Sequence, residues 1–322
     1  MLAPIDIFDP TSYPTRRDED WKYSDLSRVL REVPEDLILP ASGMSLIEHD
    51  GWTEARYSNQ GHARIMVGDQ HARELTVAAN AHKVVLEVYE GAGGYVTNGT
   101  TRITLGEGAS LTRIVILDEP EDAVSIRRST VQTAPNSRFK QYVFSTGAKF
   151  QRFETHVTHA GHGAEVELNG AYLLKDKRHF DLTTRVTHAE IDGVTNQLIK
   201  GLVRDTATAV FQGRILVERG ADGTDARMRH QALILNDGAH IRAKPELEIY
   251  ADDVQCAHGN TIGALDEEAL FFAMSRGIPE DAARAMLTQA FVMPVADLVE
   301  DETIREKVTA FLNDHTEAFH GL

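Results

Sequence analysis

The chain has 322 residues, of which 42% are hydrophobic and 25% charged, a composition typical of a soluble globular protein with a large core. Its formal net charge of −16 argues against nucleic acid or an anionic membrane as the main partner, because both attract basic surfaces. The single cysteine, Cys256, excludes an intramolecular disulfide and a four-thiolate metal site within one chain, and it favours a reducing, cytoplasmic compartment. Residues 1–13 lack the basic and apolar regions of a signal peptide, and no apolar stretch approaches the ~18 residues of a membrane span, so neither is expected.

Residues 1–63 are predicted to form a helical and irregular N-terminal segment. A short helix is expected from about Asp18 to Arg31. Its apolar residues would form one stripe along the helix, made of Trp21, Leu26, Val29 and Leu30.

Residues 64–263 are predicted to form a long β body. Short runs typical of strands recur there, separated by Gly, Asn or Asp: Lys83–Tyr89, Thr101–Leu105, Ser110–Leu117, Val124–Gln132, Ala164–Leu168, Ala209–Val217 and Glu246–Tyr250. Several of these runs alternate in polarity, which indicates strands with one buried face. Because roughly 200 residues contain no useful helical segment, the pattern favours a solenoid; a sandwich or a barrel would also account for many short strands.

Residues 264–322 are predicted to form a C-terminal helical domain. Asp266 is the expected N-cap of a helix over Glu267–Arg276, and Gly277 is its expected stop. Pro279 is expected to open a second helix, which Pro294 would end.

A third helix is expected from about Glu302 to Leu312. The apolar faces of the second and third helices are predicted to contain Ala282, Ala285, Met286 and Phe291, and Ile304, Val308, Phe311 and Leu312, respectively. These helices would cap the end coil of a solenoid and protect it from edge-to-edge aggregation.

The strongest local signal for chemistry lies between Lys244 and Gly259. In an extended strand Val254, Cys256 and His258 share one face, with alternate Cα atoms ~6.6 Å apart. A thiolate beside an imidazole can bind iron, zinc or copper. Two ligands do not close a metal site, so further ligands would come from elsewhere in the chain or from another chain. On local pattern alone, a small buried cysteine and a hydrogen-bonded histidine are the simpler interpretation.

Other candidate motifs point to no independent catalysis. Asp252 and Asp253 would face opposite sides of a strand, which favours a surface or interface pair over an acid–base pair. His156 and His159 would also face opposite sides, so they do not indicate a metal site. The glycine-rich run at 91–94 lacks the Lys-Ser/Thr of a phosphate loop, and no nucleophile elbow occurs. We therefore expect no hydrolytic, redox or ATPase activity from the chain alone.

Several blocks of the sequence carry a family resemblance. The blocks are Pro245–Val254, Cys256–Gly259, Thr261–Gly263, Leu265–Phe272 and Ser275–Ile278, with Phe211–Ile215, Thr224–Ala226 and Asp18–Leu26 further upstream. Together they resemble the SufB/SufD family of iron–sulfur cluster assembly scaffolds, and its SufD branch in particular. The match is strong over about residues 209–291 and patchy elsewhere.

The resemblance implies a mainly β fold, a right-handed parallel β-helix with a helical N-terminal segment and a C-terminal helical cap. It implies a non-catalytic scaffold subunit that forms a SufB–SufD heterodimer through β-helix strands. The ATPase SufC would dock on the C-terminal helices and supply the ATP hydrolysis that changes the shape of the scaffold. No cofactor would be bound stably by the chain alone, and a transient iron–sulfur cluster would form in the complex with SufB.

The resemblance also assigns expected roles to particular residues. The candidates for cluster assembly or for the interface are His258, Cys256, Asp252 and Asp253, with His258 as a transient metal ligand and Cys256 secondary. The candidates for SufC binding are Phe271, Phe272 and Arg276, although packing inside the helical domain competes for at least one of the two phenylalanines. The paralogous SufB role, a β-solenoid carbohydrate-active enzyme and a purely structural homo-oligomeric solenoid remain alternatives, and the isolated chain is a candidate homodimer.

Overall fold

A computed structural model describes residues 5–6, 9–30, 43–60, 66–68 and 72–320. The strands are β1 Gly43–Glu48, β2 Thr53–Gln60, β3 Met66–Gly68, β4 Ala72–Val77, β5 His82–Ala92, β6 Tyr95–Leu105, β7 Ser110–Asp118, β8 Val124–Gln132, β9 Arg138–Ser145, β10 Phe150–His159, β11 Glu165–Leu174, β12 His179–His188, β13 Val194–Val203, β14 Thr208–Val217, β15 Thr224–Ile234, β16 His240–Ile249 and β17 Val254–Gly263. The helices are α1 Leu26–Val29, α2 Glu267–Ser275, α3 Glu280–Ala296 and α4 Glu302–His320, and short 3-10 turns occur at Pro10–Ser12 and Glu19–Trp21.

The strands form two sheets between which the chain alternates. The first sheet has the order β1-β2-β5-β7-β9-β11-β13-β15-β17, and the second has the order β16-β14-β12-β10-β8-β6-β3, with β4 also paired to β6. From β5 onward each strand pairs in parallel with the strand two positions later, and one coil takes 27 to 31 residues. This repeat follows from the successive pairs His82–Ser110, Ser110–Arg138, Arg138–Glu165, Glu165–Val194, Val194–Asp225 and Asp225–Gln255. The predicted parallel β-helix is confirmed.

One corner of the β-helix explains the recurring turn motifs of the sequence. Six residues with positive φ occupy it in successive coils: Asn80, Gly108, Asn136, Gly163, Asp192 and Gly223. Each of these glycines follows an Asn or Asp of the preceding coil, and an added Cβ would lie 2.1 to 2.7 Å from that residue's Oδ1. The corner therefore alternates between a side chain that tolerates the left-handed conformation and a residue with no side chain at all.

The C-terminal helices do not cap the end coil, so that prediction is wrong. They pack instead against the outer face of the first sheet. The sheet contributes buried residues such as Ile114, Phe144 and Leu173, and the helices contribute buried residues that include Val292, Val295, Ile304, Val308 and Leu312. The physical reason is that this outer face is apolar from β5 to β13, and burial against α3 and α4 removes it from water.

The boundary of α2 agrees with the prediction, whereas α3 and α4 differ from it. Asp266 accepts hydrogen bonds from the N–H groups of the first turn of α2, and Gly277 has a φ of +88°. Pro294 lies inside α3 and does not end it, because the buried Val295 and Ala296 hold the last turn against the sheet. The buried face of α3 also contains Val292 and is rotated from the predicted face, while α4 buries Ile304, Val308 and Leu312 as predicted and extends to His320.

The predicted helix from Asp18 to Arg31 is wrong in its described part, which extends to residue 30. Residues 18–30, which we call the N-terminal strap, form a 3-10 turn, a break at Ser24 and the short helix α1. The break arises because Ser24 turns its hydroxyl toward the buried Asp181, to which it donates a hydrogen bond. Sheet strands already begin at Gly43, before residue 64.

The N-terminal strap covers the outer face of the second sheet. Its buried residues Trp21, Leu26 and Leu30 pack against a cluster that includes Phe150. Below Trp21 the buried guanidinium of Arg152 lies 4.1 Å from the indole ring and is paired with the buried carboxylates of Asp181 and Glu154. Both partners of each pair belong to the second sheet, and the strap is joined to them by the Trp21 ring and by the hydrogen bond from Ser24 to Asp181. Across the described residues, no helix is long and apolar enough to span a membrane.

Candidate functional site at the open end of the β-helix

The coil made of β16 and β17 is open on one side. Among the described residues β16 pairs only with β14, and β17 pairs only with β15. Apolar side chains at this end are uncovered, with Ile249 42%, Tyr250 58% and Ile262 39% exposed. An open strand edge with apolar side chains is a surface to which another chain can add strands.

Cys256 and His258 face the interior of the β-helix, on the same side of β17. Val254 and Cys256 pack against the interior core, and His258 lies directly opposite the buried Met228 of β15. The predicted common face of these three residues is therefore present. His258 is nevertheless exposed, because none of the described residues forms a further coil that stacks beyond β17.

The thiol of Cys256 is less suited to metal binding than the imidazole of His258. Burial raises the pKa of the Cys256 thiol, and the charge of Asp225 raises it further, against a hydrogen bond from the backbone of Ala226 that lowers it. The thiol therefore stays protonated at neutral pH, and the thiolate is the form that binds metal.

A groove of about 640 Å³ adjoins His258. Ala257 and Gly259 line it on β17, and the guanidinium groups of Arg227 and Arg229 line it on β15. No atom lies within 4 Å of a Cβ built on Gly259, so there is room for a partner's backbone. The groove is open, and residues from another chain can enter it beside the imidazole.

The acidic pair Asp252 and Asp253 lies at the surface, in a bend and not within a strand. Both residues are exposed in the bend between β16 and β17, so the argument that strand neighbours face opposite sides does not apply to them. The backbone carbonyl of Asp253 accepts a hydrogen bond from the N–H of Gly223 at 2.7 Å. Within the described ranges no group of three or more His, Cys, Asp or Glu side chains could hold a metal ion. The structure thus brings Cys256 and His258 together and leaves the two aspartates at the edge.

The phenylalanines of α2 point into solvent. Phe271 is 73% exposed and Phe272 59%, and the Arg276 guanidinium lies 4.8 Å from the Phe272 ring centroid. Leu270 is the buried residue of this helix. Internal packing of one phenylalanine, the competing expectation, is wrong, and α2 presents an aromatic patch.

The burial of several histidines inside the β-helix was not predicted from the sequence. His159 and His188 stack 4.1 Å apart inside the β-helix and both contact the hydroxyl of Thr195. His230 Nε2 lies 2.8 Å from the hydroxyl of Tyr172, and its Nδ1 lies 2.7 Å from Asn260 Oδ1 on β17. His159 and His188 are 29 residues apart, which is the length of one coil. This spacing is the sequence signal that could have placed them at equivalent positions of neighbouring coils.

These histidines should make the fold sensitive to acid. Burial lowers the pKa of His159 to about 3 and the pKa values of His179, His188 and His230 to about 4. An unfolded histidine has a pKa of about 6.5, so below that pH the unfolded chain binds more protons than the folded chain. We expect the free energy of unfolding to be fully present above about pH 6.5 and to fall steadily toward pH 4.

Urea unfolding at a series of pH values between 8 and 4 measures this effect. The exposed His162 provides the control, since His162→Gln should leave the pH dependence unchanged. A free energy of unfolding that stays constant from pH 7 to pH 4.5 would contradict the expectation.

The fold and the open end define a class of protein, a β-helix that presents free strand edges beside an exposed imidazole. The chain matches the family model described as SUF system FeS cluster assembly, SufBD core domain, over residues 61–291. It belongs to the SufBD family of iron–sulfur cluster assembly proteins, as the resemblance in the sequence predicted. This membership sets aside the interpretation as a carbohydrate-active enzyme.

Individual relatives agree with this membership. The iron–sulfur cluster assembly protein SufD of Escherichia coli is 29% identical over 254 residues, which are 78% of this chain and 60% of the relative. A SufBD family protein of Synechocystis is 32% identical over 205 residues, 64% of this chain and 45% of the relative. SufD of Plasmodium berghei is 31% identical over 230 residues, 71% of this chain and 17% of the relative. The matches therefore span less than two thirds of each of these relatives.

Proposed function

We propose that this chain is the SufD subunit of a SufBCD complex and supports ATP-dependent assembly of iron–sulfur clusters as a non-catalytic scaffold. The observation that carries the proposal is His258, held on the inner face of an open edge strand beside uncovered apolar residues. The similarity to two proteins named SufD favours this role over that of SufB.

SufB joins the chain at the open end in this proposal. Strands of SufB pair with β16 and β17, and the contact buries Ile249, Tyr250 and Ile262. His258 then lies at the junction of two β-helices, where an imidazole nitrogen can bind iron. One histidine cannot hold a cluster, so SufB supplies the remaining ligands. The cluster is the cargo of the complex and is passed on.

SufC binds the aromatic patch of α2 in this proposal. Helix α2 packs against α3, and α3 packs against β11 and β13 of the first sheet. A displacement of α2 driven by ATP hydrolysis in SufC therefore reaches the β-helix through contacts between packed elements. The chain itself contributes no nucleotide hydrolysis.

Anaerobic co-expression with SufB and SufC tests the proposal, followed by counts of subunits, iron and sulfide. We expect a stable complex that contains all three proteins and gains iron and sulfide on reconstitution. The purified chain alone should hydrolyse no ATP. Failure to co-purify with SufB or with SufC, or ATP hydrolysis by the lone chain at the rate of SufC, would refute the proposal.

A further inference from the structure

A second pocket lies where the N-terminal strap crosses the second sheet, away from the groove beside His258. Its volume is about 320 Å³. Five cationic side chains line it and come from different parts of the chain: Arg16, Lys22, Arg28, Lys149 and Arg242. The first three belong to the strap or directly precede it, Lys149 precedes β10, and Arg242 lies on β16.

The charge of this pocket is opposite to that of the protein. Asp25 is the carboxylate among its lining residues, and it pairs with Arg16 at 3.4 Å. Lys22, Arg28 and Lys149, like Arg242, have no ion pair with any described residue. In a chain with a net charge of −16, this leaves an excess of four positive charges around one pocket. A cleft lined by one sign of charge concentrates counter-ions, so it favours an anionic occupant.

The walls of the pocket add aromatic and polar surface. Lys22 Nζ lies 5.8 Å from the centroid of the Tyr23 ring, and the Arg242 guanidinium lies 5.7 Å from the same centroid. Phe150 and His179 stack 5.1 Å apart. Burial lowers the pKa of His179 to about 4, so its imidazole is neutral at pH 7 and the positive charge comes from the lysines and arginines.

We propose that this pocket binds a small anion that carries two or more phosphate groups. The planar guanidinium groups of Arg16, Arg28 and Arg242 can each present two N–H donors to phosphate oxygens, and the ammonium groups of Lys22 and Lys149 add charge without demanding a fixed geometry. The pocket can hold a diphosphate but not a folded partner. A free diphosphate and the diphosphate of a nucleotide share this chemistry.

Calorimetric titration of the full chain with inorganic pyrophosphate tests the proposal, with ADP and citrate as separate probes. We expect saturable binding of one pyrophosphate per chain that weakens as salt is added. Tighter binding of ADP than of pyrophosphate would assign a nucleotide as the source, and equal binding would assign a free diphosphate. Citrate should bind at least tenfold more weakly, and citrate binding as tight as that of pyrophosphate would overturn the phosphate assignment.

The double variant Lys149→Gln/Arg242→Gln is expected to weaken pyrophosphate binding at least tenfold. Both side chains are exposed, so the fold should persist, as thermal unfolding can verify. The matched control is Lys83→Gln/Arg219→Gln, which removes the same two charge types from exposed positions outside the pocket. An equal loss in the control would show only general attraction of anions and would overturn the proposal. Absence of saturable pyrophosphate binding to the intact chain would refute the proposed site.

Discussion

Replacement of Phe271 and Phe272 together by serine is expected to abolish capture of this chain by SufC while the fold is retained. Both rings are mostly exposed, so their loss creates no cavity in the core. Aromatic residues that anchor an interface commonly contribute at least ~2 kcal/mol each, which is roughly a 30-fold loss of affinity per ring. A pull-down with SufC, together with thermal unfolding of the variant, measures both parts of the expectation.

The matched control for this experiment is Ile47→Ser/Ile191→Ser, which removes two exposed aliphatic side chains far from α2 in the sequence. Removal of all residues after Gly263 is a weaker test, because α3 and α4 cover the apolar outer face of the first sheet. Its exposure would cause aggregation whatever binds α2. Full capture of SufC by the double phenylalanine variant would contradict the proposed docking site.

The variant His258→Ala is expected to form the complex with SufB and SufC but to lose nearly all reconstituted cluster. The side chain is exposed and has no hydrogen bond with another described residue, so its removal should leave the end coil intact. Cys256→Ala should cause a smaller loss, because the Cys256 thiol is protonated and half-buried against the core. Iron and sulfide counts and visible absorption after anaerobic reconstitution measure the cluster, and gel filtration measures the complex.

A purely structural role for His258 makes a different prediction. In that case His258→Ala would weaken the complex itself, and the iron content per assembled complex would stay normal. The exposed His240, on the other strand of the end coil, supplies the control variant His240→Ala, which should behave as the unmodified chain. A fully active His258→Ala complex with normal iron content would refute the role in cluster assembly.

Much of the β-helix could be predicted from local sequence, because alternation with a period of two depends only on strand geometry. The corner formed by Asn80, Gly108 and Asn136 also carries a signal, since left-handed residues recur there at the coil spacing. The position of the C-terminal helices could not be predicted in the same way. It depends on which outer face is apolar. Consecutive apolar runs that are buried on both faces, such as Ile114–Leu117 and Ala171–Leu174, are the local sign of it.

Local sequence likewise predicts some features of the candidate site and not others. The common face of Cys256 and His258 followed from strand geometry, whereas the exposure of His258 depends on the absence of a coil above it. The exposure of Phe271 and Phe272 could not be predicted, because a nine-residue helix with apolar residues on several sides does not specify which side is buried. The strap joins Trp21 to Arg152 over more than a hundred residues of sequence, and local patterns do not contain such contacts.

The two ends of the stack differ, and this difference bears on how the molecule opens. At the first end of the first sheet, β1 pairs antiparallel to β2 and interrupts the parallel register, whereas β16 and β17 continue it to the last coil. In a linear array each inner coil is stabilised by two neighbours and a terminal coil by one, so β16 and β17 should fray first. Their amide hydrogens would exchange with solvent faster than those of β10 to β13. In the free chain the amide hydrogens of the coil at the open end are therefore the least protected from exchange. A partner bound there would supply the missing neighbour.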